Sequence, residues 1–173
     1  MANIRKFKRV ETALKAMKIL KDKGLNFKFI IVGSDLLHVE NEKTVKTITK
    51  ELGLEDNVII TGWTKPDEVR NIMNISDICI NSSIHEGQCL VVYEAASANI
   101  PLCVSNIGSF TSVFTNSALF HDPEDFVKLS ENICYYLENP KIVKKHISLN
   151  EKIVKERCDY KIVEKKLINL FEE

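Results

Sequence analysis

Apolar positions recur along this chain in two rhythms. Val10, Ala13, Leu14, Met17 and Leu20 follow helical spacing, and Gly24 stands where such a helix would stop. FKFIIVG (27–33) is a short apolar run closed by Gly33, the pattern of a buried strand. Residues 41–52 are mostly polar with Val45, Ile48 and Leu52 on one side, which predicts an amphipathic helix. NVIITGW (57–63) reads as the next strand, and KPDEVRNIMNIS (65–76) as a short helix with proline in its first turn. DICINSS predicts a third strand, residues 90–98 a compact helix of small side chains, and PLCVSN a fourth strand.

The rhythm loosens after residue 105 and returns at DPEDFVKLSENICYYLENP. There Asp122 is expected to cap a helix with Pro123 at its first position, and Pro140 to lie beyond its end. The polar remainder is predicted to be helical. Strands separated by helices predict an α/β domain: a Rossmann-like, doubly wound parallel sheet with helices on both faces. Such sheets bind ligands beyond the carboxyl ends of their strands. Here those ends are Arg5, Gly33–Ser34, Gly62–Trp63, Ser82 to Gly87, and Ser105 to Gly108.

Composition narrows the picture modestly. A length of 173 residues suits one domain spanning 1–173. Lys plus Arg and Asp plus Glu both number 24, so no overall charge steers the chain to nucleic acid or anionic lipid. No apolar run of about 18 residues would span a membrane, and MANIRKFKRVE lacks the apolar stretch of a secretory signal. The five cysteines (Cys79, Cys89, Cys103, Cys134, Cys158) are scattered, without CxxC or His/Cys zinc spacing. Reduced thiols and a cytoplasmic location are therefore expected.

The chemistry concentrates in SSIHEGQCLVVYEAASANIP, residues 82–101. A strand ends at Ser82, and a turn follows with His85, Glu86 and Gly87. A helix comes next and carries Glu94 about one turn inside it. Both glutamates are thus placed to face one cleft. Gly87 would let the backbone approach a ligand closely. The free amides near Leu90 and Val91 open the helix and would stabilise a phosphate. The bland reading is that surface carboxylates are ordinarily just solvated.

This stretch resembles the E-x7-E motif of the family-4 (group 1) retaining glycosyltransferases, whose GT-B fold pairs two Rossmann-like domains. Glu86 and Glu94 hold its acidic positions. The likeness runs from Ala2 to about Pro140, through NIRKFKRVETALKAM, FKFIIVGS, NVIITGWTKPDEVRNIMNISDICINSS and ALFHDPEDFVKLSENICYYLENP. The resemblance implies that Glu86 contacts donor-sugar hydroxyls and Glu94 the nucleotide ribose. It implies that Arg5 and Lys8 touch the diphosphate; the bland alternative is that Lys6, Lys8 and Arg9 simply solvate the first helix. Gly33 belongs to the glycine turn after the second strand. Trp63 is placed either against the nucleotide base or in ordinary packing, with Thr64 offering a hydrogen bond, and His85 either near the sugar or on a turn carbonyl. No metal or other cofactor is expected.

Several positions depart from the family pattern. Gln88 and Cys89 follow the EG pair, Asn99 replaces a common glycine, and Thr111 stands where a loop acid is usual. The resemblance also implies an amino-terminal, acceptor-binding GT-B domain that these residues do not contain, with Met1–Ile4 expected inside a central first strand. The expected function is the donor-binding half of a retaining transferase moving a sugar from a nucleotide-sugar to an acceptor hydroxyl. A non-catalytic nucleotide-binding or interaction module on the same half-fold is the alternative, and a nucleotide-sugar epimerase a third reading.

Overall fold

The computed structural model describes residues 5–34 and 39–172. The strand expected at Met1–Ile4 lies outside them. A short 3-10 turn, Lys6–Lys8, leads into α1 (Val10–Asp22). Then follow β1 (Phe29–Val32), α2 (Val39–Glu51), β2 (Val58–Gly62), α3 (Pro66–Asn74), β3 (Cys79–Asn81) and α4 (Leu90–Ser97). The chain continues through β4 (Leu102–Ser105), α5 (Gly108–Phe114), β5 (Ala118–His121), α6 (Phe126–Glu138), α7 (Pro140–Cys158) and α8 (Tyr160–Glu172).

The ladders between the strands of the described residues are parallel. β1 pairs with β2, and β3, β4 and β5 form a second ladder in that order. β4 shows how helices come to cover both faces. Cys103 faces a core built from α1 residues Leu14, Met17 and Leu20 and α6 residues Leu129 and Ile133. Its neighbours Leu102 and Val104 face the other way, into a core with Val92 and Ala96 of α4 and Phe110 and Phe114 of α5. Alternation along the strand sends successive side chains to opposite sides. All four β4 residues are buried, as a central parallel strand requires.

The helix ends follow their local chemistry. After α1, Gly24 adopts φ 80° and donates to the Lys21 carbonyl at 2.8 Å, while Leu25 donates to that of Leu20. Only a residue tolerant of positive φ closes a helix this way. The expected cap at Asp122 is displaced. Asp125 caps α6 instead, its carboxylate accepting from the Lys128 amide at 2.8 Å. Asp122 begins a turn closed by the Asp125 amide on its carbonyl, so the chain bends before it coils. Pro140 does lie beyond α6, and it also opens α7.

The loosely patterned stretch after residue 105 holds α5 and β5, which the apolar rhythm did not reveal. Their shortness explains this: 7 and 4 residues give too little periodicity to read. At the far end α8 packs on α7 and leaves Tyr160, Leu167 and Phe171 exposed.

Candidate functional site

The site begins with a strained turn. Arg9 takes φ 49° and ψ 45°, a left-handed conformation uncommon for a residue with a side chain. Arg9 both closes the 3-10 turn and opens α1, so the chain bends there. Its guanidinium holds the bend through ion pairs with Glu11 and Glu124. That bend leaves Arg5, Lys6, Phe7 and Lys8 as an arm across the carboxyl end of β3. The Phe7 carbonyl accepts from the Ile84 amide at 2.8 Å and stitches the arm to the loop after the strand.

Lys8 and Glu86 meet there. Lys8 Nζ donates to Glu86 Oε1 at 2.5 Å, with both side chains largely shielded from water (18% and 10% exposed). Ser83 Oγ donates to the same oxygen at 2.6 Å, and Asn81 Nδ2 reaches it at 3.5 Å. Burial alone would raise the Glu86 pKa, but these hydrogen bonds and the Lys8 charge outweigh it and hold it below the ordinary glutamate value. Glu86 is an ionised carboxylate.

The loop is braced from beneath. Ser105 Oγ, at the end of β4, donates to the Ser83 carbonyl at 2.6 Å. His121 Nε2, at the end of β5, shares a 3.1 Å hydrogen bond with Ser82 Oγ. Burial lowers the His121 pKa to about 4 despite nearby Asp125 and Asp122, so its ring is neutral at ordinary pH. Beside Glu86, Cys89 is buried, and burial followed by the Glu86 charge pushes its thiol pKa up. This Cys is a packed thiol, not a thiolate.

The other expected residues divide into groups. Arg5 lies on the same arm as Lys8, and its Nε is buried without a hydrogen-bond partner. Lys6 is exposed and His85 is exposed. Leu90 opens α4 with Val91 after it, and no side chain caps that end. Leu90 and Glu94 share the exposed face of α4, opposite buried Val92, Ala95 and Ala96. Helical side chains in general lean toward the amino terminus, and α4 begins just after the Glu86 loop. At Gly87 an added Cβ would meet no protein atom within 4 Å, so open space adjoins the loop.

Gly33, Trp63 and Thr64 form a separate cluster at the ends of β1 and β2. Gly33 (φ 127°) and Gly62 (φ 71°) face each other across an isolated antiparallel bridge, both in backbone regions that favour glycine. Trp63 is exposed. Thr64 is buried, and its hydroxyl is engaged with the Gly62 carbonyl at 3.1 Å and Thr61 Oγ1 at 2.8 Å. Among the described residues no hydrogen bond or ion pair joins this cluster to Glu86.

Two departures from the family pattern acquire physical reasons. Asn99 stands at φ 61°, a conformation asparagine tolerates better than most residues, so it can replace glycine. Thr111 lies in α5 with its hydroxyl turned back onto the Ile107 carbonyl at 3.2 Å. Asn81 and His121 were not singled out by the sequence, and Ser83 and Ser105 entered only as parts of strand ends, because single polar residues at strand ends are common. Among the described residues no cluster of three or more His, Cys, Asp or Glu is arranged to hold a metal ion, and no helix is long and apolar enough to cross a membrane.

Residues 1–155 match the family described as glycosyl transferases group 1. The 2-deoxystreptamine glucosyltransferase of Streptomyces kanamyceticus is 26% identical over 130 residues, which make up 74% of this chain and 33% of that protein. Protein CapJ of Staphylococcus aureus is 30% identical over 128 residues, 73% of this chain and 31% of CapJ. The chain thus spans about a third of the length of these curated relatives. Among solved structures, Anabaena HepE in complex with UDP aligns with a TM-score of 0.88 at 17% identity, over 99% of this chain and 47% of HepE. The C-terminal domain of the group 1 protein LpcC from Francisella tularensis aligns at 0.80 and 17%, over 91% of this chain and 83% of that one. At such identities the structural likeness bears on fold, and the fold is that of a GT-B glycosyltransferase domain. With the match over residues 1–155, this chain belongs to the glycosyl transferases group 1 family.

Proposed function

We propose that this domain is the donor-binding half of a retaining glycosyltransferase that moves a sugar from a nucleotide-sugar to an acceptor hydroxyl. The observation that carries the reading is the Lys8–Glu86 contact at 2.5 Å, with the partnerless Nε of Arg5 on the same arm. Breaking the glycosidic bond of a nucleotide-sugar puts negative charge on a diphosphate and positive character on the sugar ring. A cation and an ionised carboxylate held side by side complement both at once, and such preorganised charge is often the largest catalytic contribution.

In this reading Arg5 and Lys8 hold the diphosphate, aided by the uncapped start of α4 at Leu90 and Val91. An ammonium has three N–H donors, so Lys8 serves the phosphate without releasing Glu86. Glu86 accepts from the donor sugar and Glu94 from the ribose, while Trp63 flanks the base beside the Gly33 turn. The HepE structure contains UDP, which makes uridine a sensible first base to try. Acceptor binding falls to an amino-terminal GT-B domain. The reaction needs no metal here, and the compartment is the cytoplasm.

Calorimetry of the chain with UDP, GDP, ADP and the matching nucleosides tests the reading. One nucleoside diphosphate is expected to bind clearly more tightly than its nucleoside. Equal or absent binding across all pairs would sink it. A second reading, a nucleotide-binding module without turnover, is favoured by Thr111, whose hydroxyl is bonded to its own helix where the family pattern has an acid. Fusing an amino-terminal family domain and assaying sugar transfer separates the two.

A further inference from the structure

Three donors converge on one oxygen of Glu86, and the Cys89 thiol also interacts with the carboxylate. Lys8 Nζ, Ser83 Oγ and Asn81 Nδ2 all address Oε1, at 2.5, 2.6 and 3.5 Å. The Glu86 side chain keeps 10% of its surface exposed to solvent. The bracing donors gather on Oε1.

Ser83 is unusually well fixed for a loop residue. It is fully buried, its amide donates to Asn81 Oδ1 at 2.9 Å, and its carbonyl accepts from Ser105 Oγ at 2.6 Å. A serine hydroxyl has one proton, and this one is committed to Glu86. Asn81 ties the arrangement to β3. Its amide group reaches Glu86 and Cys89 Sγ, each at 3.5 Å, while its oxygen anchors Ser83. Side chains locked in this way keep a functional group within the narrow range of productive geometry.

We infer that Ser83 and Asn81 are positioning residues that occupy Oε1 of Glu86 and leave Oε2 as the atom offered to a hydroxyl of the donor sugar. The sugar-facing part rests on the donor-binding reading above; the holding of Glu86 stands without it. The consequence for recognition is a single accepting oxygen with a fixed direction, instead of a carboxylate free to rotate and accept through either oxygen.

The test is a carboxyl carbon-13 NMR titration of the whole 173-residue chain, with the Glu86 signal assigned by its absence in Glu86→Gln. In the wild type the Glu86 midpoint should lie below that of an ordinary glutamate, and in Ser83→Ala it should move upward. A brace that only stabilised the fold would lower the melting temperature and leave the midpoint where it was; that outcome overturns the inference. Should Ser83→Ala fail to fold, Ser105→Ala keeps the Ser83 hydroxyl while freeing its carbonyl. A smaller upward movement is then expected, and none would overturn it.

Calorimetry on the same samples addresses the sugar. Ser83→Ala should bind UDP as the wild type does and lose several-fold in affinity for UDP-glucose. Equal loss for both ligands, or loss for neither, overturns the sugar-facing part. A wild type that binds neither UDP nor UDP-glucose refutes the donor-binding reading, and the sugar-facing part with it, while the titration still decides whether Glu86 is held.

Discussion

Lys8 and Glu86, 78 residues apart in sequence, meet at 2.5 Å where the amino-terminal arm crosses the loop after β3. The pair is shielded on both sides, so each charge depends on the other more than a surface pair would.

Replacing Glu86 by Gln should therefore lower stability by about 1–3 kcal/mol at neutral pH, since it leaves a shielded ammonium without its counter-charge. The deficit should depend on pH. The Glu86 pKa is lowered in the folded state, so the unfolded chain binds the proton first as pH falls. The stabilisation is complete above the ordinary glutamate value of 4.5 and is lost as pH drops through the lower, folded value. Urea unfolding of both proteins at several pH values reads the difference, which should shrink in acid.

His121 predicts a second, separate window. Its folded pKa of about 4 lies below the ordinary 6.5, so between them the unfolded chain takes up a proton that the buried ring refuses. Stability from this residue is full above 6.5 and falls toward 4. Between pH 7 and pH 5 the loss is about 2 kcal/mol. His121→Asn should lack this component, which urea unfolding at the two pH values would show. An unchanged slope would mean that the ring is not held neutral.

Glu94 should separate binding from folding. Its carboxylate is exposed and has no hydrogen-bond or ion-pair partner among the described residues. Glu94→Gln is expected to leave the melting temperature nearly unchanged while weakening nucleotide binding measured by calorimetry. A clear loss of stability with intact affinity would mark a structural glutamate.

For Arg5, the contrast lies between ligands. Arg5→Ala should weaken a nucleoside diphosphate by roughly tenfold or more, the worth of one charge-assisted hydrogen bond, and spare the nucleoside. Added salt should act in the same sense, because a partly exposed cation is screened. Nucleoside and diphosphate affinities that respond alike would remove the arm from the phosphate site.

Much of this architecture was legible in the chain. Long periodic segments such as Val10–Leu20, and apolar runs such as FKFIIVG, announce their structure through spacing alone. α5 and β5 were not legible, because Phe110, Phe114 and Ala118 are buried within elements too short to repeat a pattern. At the site, Glu86 and Lys8 could be nominated from the family resemblance, but their mutual contact could not. It depends on the left-handed turn at Arg9, a conformation that sequence composition does not favour. The roles of Ser83 and Ser105 were hidden for a different reason: a serine at a strand end is informative only when what it touches is known.

The position of β4 between the two cores has a consequence for motion. Cys103 is locked from one side and Leu102 and Val104 from the other, so this strand can open only if both helical layers loosen together. Its amides should be among the slowest to exchange with deuterium, approaching the rate set by global unfolding. The Glu86 loop hangs from the last residue of that strand, through Ser105 and the Ser83 carbonyl. Flexible surface loops usually breathe on their own; this one is moored to the part of the molecule that breathes last.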